Sequence, residues 1–483
     1  MSMSQITHRS LLRAAPARLL LHRSYATEST APSKPKKRLV VLGTGWGGYA
    51  FLKSLTYPTL RQFDVKVISP TTSFSFTPLL AQASCATLDF RSAVEPVHSN
   101  RCMEYHHAWC DAVDFKAQRI ELTSAFNPQF RLCDPLLQRS GAVVEEDRGK
   151  RATYSLEYDY LVVSVGSYNA TFGTKGVKEN ALFLKDLTGE QEEELKRLLS
   201  FIVVGGGPTG SEFAAELHDL IKDDLSRLYP NLRRYPLIRI LDAGSTILSS
   251  FDAGLADYAM KKFARDGIEV QLNTKIQRVE RDAVVLDNQR LGAGMVVWST
   301  GITTSPLIEA FRGVGKEERT GKVLTNDVLQ LLVDPSAEKV GGSVLNPAAY
   351  ESSSPPKSAN LVPMDNVFAL GDCSSQIDQP LPATAQVATQ KGHFLANHFN
   401  NHLSSASASG EPKPFKFADK GSMASIGSGK ALIDSPVKKE SGALAWILWR
   451  SAYTIMSMSW RNRMIVPANW ASNLLFGRDV GRF

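Results

Sequence analysis

Two glycine-rich loops carry the clearest chemical signal in the sequence. Their glycines are Gly43, Gly45 and Gly48 in the first glycine loop (residues 43–48) and Gly205, Gly207 and Gly210 in the second glycine loop (residues 205–210). In a G-x-G-x-x-G loop the first glycine allows a tight turn, the second lets backbone approach a pyrophosphate, and the third lets a helix pack closely on a strand. The N-terminus of that helix offers free N–H groups and a positive dipole to phosphates. Two such loops predict two bound dinucleotides.

An acidic residue usually follows such a loop at the end of the next strand, where it binds the ribose hydroxyls. Asp242 has this place after the second loop, and its charge would repel a 2′-phosphate, which favours NADH over NADPH. Ser69 has the corresponding place after the first loop, so the way that ribose is held stays open. The alternative for Asp242 is a loop carboxylate that only accepts hydrogen bonds from backbone N–H groups.

Each loop lies between a short apolar run and a helical stretch. The runs 39–42 and 201–204 have the composition of buried parallel strands. A helix is predicted over 49–55 after the first loop and from 211 to about 225 after the second. These elements, each followed by a further apolar strand, predict two βαβ units in one chain.

The remaining patterns predict the elements around these units. Residues 101–158 alternate loosely and indicate an antiparallel excursion. The segment 334–363 is rich in Ser, Pro, Gly and Ala, which predicts a mobile surface insertion. A helix is predicted from about 383 to 399, with Pro382 in its first turn.

Charge is concentrated at the start of the chain. The 483 residues include 55 Lys and Arg against 48 Asp and Glu, a net charge of +7. Residues 1–38 hold the whole excess, so the rest is formally neutral and gives no reason to expect nucleic-acid binding. Residues 1–33 combine spaced arginines with Leu, Ala and Ser, which predicts a mitochondrial transit peptide; a disordered basic tail is the alternative.

Cysteine spacing excludes two kinds of chemistry. The chain has five cysteines and no C-x-x-C pair, so neither a disulfide framework nor a zinc site is expected, and no metal is predicted. The helix after the first loop contains no cysteine, which excludes a thiol relay of the disulfide-reductase kind.

Several sequence blocks together resemble one family, the type II (alternative) NADH dehydrogenases of mitochondria. The blocks are GTGWGG (43–48), SFTPLL (75–80), VGGGPTG (204–210), FALGDC (368–373), LPATAQVATQ (381–390) and WILWRSAY (446–453). The resemblance runs from residue 37 to 483. It implies an α/β fold with two Rossmann-like domains, similar to glutathione reductase, in which the first loop binds FAD and the second binds NADH.

The resemblance also implies an activity and a set of cofactor contacts. Members of the family pass two electrons from NADH to ubiquinone through FAD, without pumping protons. Further contacts to the cofactors are implied at Trp46, Thr77, Gly166, Gly301, Gly371 and Asp372. For Asp372 the alternative is a simple turn or helix cap.

Three residues are candidates for catalysis because of the same resemblance. Gln386 and Gln390 are four apart on one helical face and could present their amides to flavin and quinone, although two solvated glutamines are the alternative. Glu212 resembles a family carboxylate close to the nicotinamide that helps to relay protons. Its alternative is a carboxylate that complements the helix dipole. The dipole of the helix after Pro382 would stabilise negative charge on reduced flavin.

The C-terminal region (residues 412–483) changes in composition towards aromatic and apolar residues interrupted by arginines. No charge-free stretch of about 20 residues is present, so amphipathic helices that lie on the membrane surface are predicted rather than a spanning helix. A dimer interface and a plain core-packing helix are the alternatives, and a homodimer is expected. We predict an inner-membrane location, with the matrix face favoured over the intermembrane-space face.

The expected domains are an FAD domain in two parts (37–186 and 325–402), an inserted NADH domain (200–324) and the C-terminal region. The connection 187–199 is shorter than the helical segment that relatives carry there, which raises the question of whether the two domains are properly joined. Two other functions therefore stay open: a low-turnover flavoprotein that senses NADH, and a soluble flavin reductase that serves a protein carrier.

Overall fold

The computed structural model describes residues 36–97, 103–125, 152–169, 174–176, 196–350, 360–403, 413–456 and 459–478. The strands are, in chain order, β1 (Lys37–Leu42), β2 (Phe63–Ser69), β3 (Ser73–Ser75), β4 (Val94–Pro96), β5 (Met103–Asp114), β6 (Arg119–Ser124), β7 (Thr153–Glu157), β8 (Tyr160–Val163), β9 (Ser167–Asn169), β10 (Ser200–Val204), β11 (Leu237–Leu241), β12 (Glu269–Gln271), β13 (Ile276–Val279), β14 (Ala283–Leu286), β15 (Arg290–Gly292), β16 (Met295–Trp298), β17 (Ile302–Thr304), β18 (Val323–Thr325), β19 (Gln330–Val333), β20 (Gly341–Ser343), β21 (Val362–Ala369), β22 (Ser374–Gln376), β23 (Ser422–Gly427), β24 (Lys430–Asp434) and β25 (Lys439–Gly442). The helices are α1 (Trp46–Ser54), α2 (Tyr57–Gln62), α3 (Leu80–Ser84), α4 (Pro208–Asp219), α5 (Ser226–Leu228), α6 (Ala253–Asp266), α7 (Pro306–Ala310), α8 (Ala385–His398), α9 (Ala443–Met456) and α10 (Trp460–Phe476).

The first sheet places the first glycine loop at the carboxyl end of its central strand. Its middle strands are parallel in the order β21, β8, β1, β2 and β5. The residues 39–42 of β1 are fully buried, as their continuous apolar run predicts, because helices α1 and α8 cover one face of the sheet and β6 with the short helix α7 covers the other. Helix α1 packs against α8, where Gly392 allows the two backbones to approach closely.

A second, smaller sheet carries the second glycine loop in the same way. Its strands are all parallel, in the order β12, β11, β10 and β16. Helix α4 follows the loop, and Phe213 from this helix joins a buried cluster with Ile240 and Phe263 from β11 and α6. Both sheets therefore present a glycine loop and a helix N-terminus at the carboxyl end of a parallel strand, where α/β folds bind ligands.

The C-terminal region forms a small antiparallel sheet and two helices. Strands β23, β24 and β25 pair in sequence order, and α9 packs on β24. Helices α9 and α10 meet through Trp449 and Trp470, which join a buried cluster with Tyr49 and Phe74 of the first domain. In the part of the chain that the structure describes, every helix is too short or too polar to cross a membrane.

The prediction of a mobile insertion over 334–363 is wrong for its first half. Strand β20 pairs antiparallel with β5, and Val340 and Ser343 are buried. A Cβ at Gly341 would lie 2.1 Å from the carbonyl oxygen of Val113. The glycines in this stretch therefore serve close packing rather than flexibility, and composition alone does not separate the two. Residues 351–359 lie outside the described residues.

Other predicted elements differ in detail. Helix α1 begins at Trp46, directly within the first loop, rather than at Tyr49. Helix α8 begins at Ala385 after an N-cap at Thr384, so Pro382 precedes the helix and is not in its first turn. The excursion 101–158 begins with a parallel pairing of β5 to β2 and turns antiparallel only with β6 and β7. The leader 1–33 and most of the connection 187–199 lie outside the described residues.

Candidate active site

The first glycine loop has the geometry that a pyrophosphate requires. Gly43 has φ +93°, and a Cβ there would lie 2.2 Å from the carbonyl oxygen of Ser164. A Cβ at Gly48 would lie 2.2 Å from the carbonyl oxygen of Gly43. Gly45, in contrast, faces open space. Two glycines thus permit the tight packing of strand, turn and helix, and the middle one leaves room for a ligand.

The second glycine loop repeats this arrangement. Gly205 has φ +104°, with the carbonyl oxygen of Ser299 2.3 Å from the position of a Cβ. A Cβ at Gly210 would lie 2.0 Å from the carbonyl oxygen of Gly205, and Gly207 again faces open space. Because both loops leave the same gap at the same place, both fit a dinucleotide.

A cavity of about 580 Å³ opens from the first loop. The predicted residues Gly43, Gly45, Trp46, Thr77 and Gly166 all line it. The indole Nε1 of Trp46 donates a hydrogen bond to Thr77 Oγ1 at 3.1 Å, which joins the loop to the opposite wall. Five predicted cofactor contacts from separate parts of the sequence therefore lie around one cavity, and their contacts to FAD stay predictions.

Asp372 lies at the end of β21, beside this cavity. Gly371 precedes it with φ +81°, a conformation that favours glycine. Asp372 Oδ2 accepts a hydrogen bond from Ser167 Oγ at 3.2 Å, and Ser167 directly follows Gly166 in the cavity wall. This position suits a second flavin contact, which stays a prediction.

Hydroxyl groups replace the missing acid at the end of β2. Ser69 Oγ lies 2.8 Å from Thr44 Oγ1 and 3.3 Å from Thr71 Oγ1. Asp111, from β5, lines the same cavity. These residues are candidate ribose contacts. The sequence marked only Ser69 among them, and Asp111 was missed because it comes from a strand outside the βαβ unit and follows no motif spacing.

Asp242 lies at the end of β11, beside the second loop. Its Oδ2 accepts a hydrogen bond from the N–H of Gly206 and its Oδ1 one from the N–H of Gly244, both at 2.6 Å. The alternative role, a carboxylate that satisfies loop N–H groups, is therefore present in the structure. These hydrogen bonds hold the carboxylate of Asp242 next to the second loop. Binding of the ribose hydroxyls by Asp242 is compatible with this position and stays a prediction.

Gly301 is exposed at the point where the second sheet leads back to the first cavity. Strand β17, which begins with the next residue, pairs antiparallel with β9. In this pairing Thr304 lies opposite Ser167, next to Gly166 of the cavity wall. The pairing of β17 with β9 therefore joins a segment that follows the second sheet to the wall of the first cavity. Hydride transfer between two dinucleotides requires their sites to be close in this way.

The amides of Gln386 and Gln390 are engaged with backbone. Gln386 Nε2 donates to the carbonyl oxygen of Gly421 at 3.2 Å, and its Oε1 accepts from the N–H of Lys420 at 2.7 Å. Gln390 exchanges hydrogen bonds of 2.8 and 3.0 Å with the backbone of Ala418. Both side chains thus fasten α8 to the segment before β23. They are not simply solvated, and their roles at flavin and quinone stay predictions.

Glu212 belongs to a row of buried carboxylates on one face of α4, which we call the carboxylate face (Glu212, Glu216 and Asp219). Glu212 accepts a hydrogen bond from the N–H of Ser425 in β23 at 2.9 Å. Burial, with a smaller contribution from the neighbouring charge of Glu216, raises the pKa of Glu212 to about 8, although the hydrogen bond from Ser425 acts in the opposite direction. A carboxyl with this pKa exchanges protons near neutral pH. The sequence missed Glu216 and Asp219, although their i, i+4 and i+7 spacing marks one helical face.

Thiol and metal chemistry find no site in the described residues. Cys85 and Cys373 are buried free thiols, and burial raises the pKa of Cys373 to about 11. No group of three His, Cys, Asp or Glu side chains within the described ranges is placed to hold a metal ion. The fold and the two loops define a flavin- and nicotinamide-dependent oxidoreductase that has no redox-active disulfide in this part of the chain.

Comparison with known proteins agrees with this class. The family model for pyridine nucleotide-disulphide oxidoreductases matches residues 37–335, and the NDH2 C-terminal domain matches residues 420–479. A probable NADH dehydrogenase of Dictyostelium discoideum is 35% identical, covering 92% of this chain and 91% of its own. The external alternative NAD(P)H-ubiquinone oxidoreductase B1 of Arabidopsis thaliana is 32% identical, covering 92% and 91%.

A solved structure shows the same fold. NDH2 from Plasmodium falciparum in complex with NADH superposes with a TM-score of 0.75 at 22% identity, covering 92% of this chain and 99% of that chain. The chain belongs to the pyridine nucleotide-disulphide oxidoreductase family and, within it, to the alternative NADH dehydrogenases. This confirms the predicted family, fold class and enzyme class, with FAD and NADH as the cofactors.

Replacing the second and third glycines of the first loop separately should distinguish space for a ligand from packing of the backbone. We expect Gly45→Val to leave the thermal unfolding of the apoprotein unchanged but to abolish FAD retention, because its side chain enters the open space of the loop. Gly48→Val should lower both the melting temperature and the amount of bound FAD, because its Cβ would lie 2.2 Å from the carbonyl oxygen of Gly43. Flavin absorbance per protein and a melting curve measure the two effects. A Gly45→Val protein that purifies with full FAD would contradict the assignment.

The raised pKa of Glu212 predicts a pH-dependent stability. Because the folded pKa, about 8, lies above that of an unfolded glutamate, the folded state binds the extra proton between about pH 4.5 and 8. The contribution of Glu212 to the free energy of unfolding is therefore fully present below about pH 4.5. It falls as the pH rises towards 8, by up to about 1.4 kcal/mol per pH unit. Glu212→Gln should remove this decline, measured as the difference in unfolding free energy from wild type between pH 5 and 8. An unchanged pH slope would refute the buried protonated carboxyl.

Proposed function

We propose that this protein oxidises NADH through FAD and passes two electrons to ubiquinone at the inner mitochondrial membrane, without pumping protons. The observation that carries the proposal is a continuous aromatic cluster between the flavin cavity and the C-terminal helices. Phe74 lines the cavity and lies 5.1 Å from the ring of Trp46. Phe76 lies 6.0 Å from Tyr453 of α9. An apolar acceptor dissolved in a membrane would meet the protein next to the flavin.

The outer surface of the C-terminal helices supports membrane binding. Large apolar side chains remain exposed there: Leu444, Ile447, Leu448, Ile455, Met456, Trp460, Met464, Leu474 and Leu475. Such an apolar surface, combined with arginines on the same helices, suits attachment to a membrane face without crossing it. The names of relatives, which include mitochondrial NAD(P)H-ubiquinone oxidoreductases, agree with this acceptor and compartment.

The residues of the chain would divide the work as follows. Bound FAD supplies the redox chemistry, accepting hydride from NADH and releasing electrons to quinone. Asp242 places negative charge where a 2′-phosphate would lie, which favours NADH. The N-terminus of α8, capped by Thr384, would stabilise negative charge on reduced flavin through its dipole. Glu212, with its raised pKa, can hold and release a proton near neutral pH.

Location and assembly extend this proposal. We infer import through the leader 1–33, attachment to the matrix face through residues 412–483, and a homodimer. We likewise propose the domain division 37–186 with 325–402, and 200–324. The two sheets support it, because β1, β8 and β21 share one sheet whereas β10, β11 and β16 share the other.

Reconstitution into sealed lipid vesicles tests the proposed function. With external NADH and a water-soluble ubiquinone analogue, the FAD-loaded protein should oxidise NADH and reduce quinone in equal amounts. A pH-sensitive dye inside the vesicles should report no change of lumenal pH during turnover. Quinone-independent NADH oxidation would favour a flavin reductase that serves another carrier. Acidification or alkalinisation that depends on turnover would contradict the absence of pumping.

Removing the charge of Asp242 should relax the choice of nucleotide. We expect Asp242→Asn to raise kcat/KM for NADPH about tenfold, the effect of removing a repulsion of about 1.4 kcal/mol, with a small change for NADH. The asparagine keeps an acceptor for only one of the N–H groups of Gly206 and Gly244, so a melting curve of the variant must accompany the kinetics to check that the loop holds its shape. Steady-state kinetics with both nucleotides measure the ratio. An unchanged NADPH:NADH ratio would leave Asp242 with only its structural role.

Polar substitution of the exposed C-terminal leucines should release the protein from lipid. Leu474 and Leu475 are 88% and 74% exposed, so Leu474→Ser with Leu475→Ser should fold normally. Flotation with anionic phospholipid vesicles should fall at least tenfold, because burial of each leucine contributes about 1.5–3 kcal/mol. Leu345→Ser, at a 70% exposed position outside the C-terminal helices, is the matched control and should float like wild type. Equal flotation of all three proteins would contradict the membrane surface.

A further inference from the structure

We propose that Glu216 is a positioning residue for hydride transfer: it fixes the nicotinamide domain against the flavin domain through a buried junction with the C-terminal region. Glu216 is 5% exposed. Its Oε1 accepts a hydrogen bond from Gln82 Nε2 at 3.2 Å, and its Oε2 accepts one from Thr87 Oγ1 at 2.8 Å. Gln82 and Thr87 belong to the first domain, whereas Glu216 lies on α4 of the second.

The C-terminal region completes this junction. Arg478, 11% exposed, approaches Glu216 Oε2 to 3.9 Å, and its Nε donates to Thr87 Oγ1 at 3.0 Å. Its Nη1 forms a 2.7 Å ion pair with Asp224, in the π-helical turn that continues α4. On the other side, Trp470 Nε1 donates to Gln82 Oε1 at 3.0 Å. Three parts of the chain, far apart in sequence, therefore meet at one carboxylate.

The other members of the carboxylate face have different partners. Glu212 binds Ser425, and Asp219 accepts hydrogen bonds from the N–H and Oγ of Ser428 at 2.5 and 3.0 Å. Both of these contacts join α4 to the hairpin of β23 and β24. Glu216, in contrast, accepts its hydrogen bonds from residues of the flavin domain. Its loss should therefore disturb the relation between the two cofactor domains in a way that loss of Asp219 does not.

The position of the junction links it to both cofactor loops. Glu216 lies six residues after Gly210, about 9 Å along a continuous helix whose N-terminus forms the second loop. Gln82 and Thr87 follow closely after Thr77, which lines the flavin cavity. Hydride transfer requires the reacting atoms to lie about 3–3.5 Å apart, and a misplacement of about 1 Å can cost roughly 100-fold in rate. A rigid helix fixed at its middle transmits such a displacement to its N-terminus.

The inference rests on hydride transfer from NADH to FAD and not on the identity of the electron acceptor. A buried carboxylate needs all of its donors, because a polar group left without a partner in the interior is costly. Glu216→Gln retains the size of the side chain but replaces one acceptor oxygen with a donor NH₂ group. One of the hydrogen bonds from Gln82 or Thr87, and the attraction to Arg478, must then be lost.

Anaerobic rapid mixing of the holoenzyme with saturating NADH tests the proposal. We expect the rate of flavin bleaching per bound flavin to fall 10- to 100-fold in Glu216→Gln, while FAD content and flavin reoxidation by a quinone analogue stay at wild-type values. Asp219→Asn, an equally buried carboxylate on the same helix, is the matched control and should bleach at the wild-type rate. Arg478→Lys retains the charge and should keep most of the rate.

Hydrogen exchange of the apoprotein supplies a readout that does not depend on turnover. Backbone amides of residues 82–92 and 469–478 should exchange faster in Glu216→Gln than in wild type and Asp219→Asn. If Glu216→Gln does not fold, Thr87→Val can replace it, because this variant removes one hydrogen bond to the same carboxylate. Thr87→Val should also slow flavin bleaching and speed amide exchange, but by less. Faster exchange with a normal bleaching rate would show a merely structural role and overturn the proposal. Wild-type protein that NADH does not bleach would instead refute the proposed function.

Discussion

The burial of three carboxylates along α4 is the constraint on which the arrangement of this protein depends. Each carboxylate needs donors in an interior that excludes water, and each finds them outside the nicotinamide domain. These donors come from the loop that follows the flavin cavity and from the C-terminal hairpin. The helix that begins at the second glycine loop is therefore held to the C-terminal hairpin through Glu212 and Asp219, and to the flavin domain through Glu216. The contact of Glu216 is the one that relates the two cofactor loops to each other.

The C-terminal helices consequently have two different surfaces. Their inner side belongs to the protein core: Trp470 binds Gln82, and the guanidinium of Arg450 lies 3.8 Å from the ring centroid of Trp446 and 4.4 Å from that of Trp470. Their outer side exposes leucines such as Leu474. Because one pair of helices carries both surfaces, the apolar face is held at a fixed place beside the flavin cavity. An appendage on a flexible linker would leave the distance from this apolar face to the flavin cavity undefined.

Sequence reasoning succeeded where function depends on local backbone geometry. The glycine loops follow from short motifs because three glycine positions determine how strand, turn and helix pack. The cavity residues Trp46, Thr77 and Gly166 follow instead from the family resemblance. It failed where contacts join distant parts of the chain. Glu216 and Thr87 are 129 residues apart, and no spacing rule connects them. The packing of 334–350 was missed for a related reason: its glycines meet the backbone of a strand more than 200 positions earlier.

In the proposed reaction NADH first reduces the flavin, and quinone then oxidises the same flavin. Sequential anaerobic mixing tests it most directly: the FAD-loaded protein is first mixed with one equivalent of NADH, then with a ubiquinone analogue, while flavin absorbance is followed. We expect rapid loss of the oxidised flavin spectrum and its rapid return, with one quinone reduced per flavin. Bleaching that quinone does not reverse, or no bleaching by NADH, would contradict it.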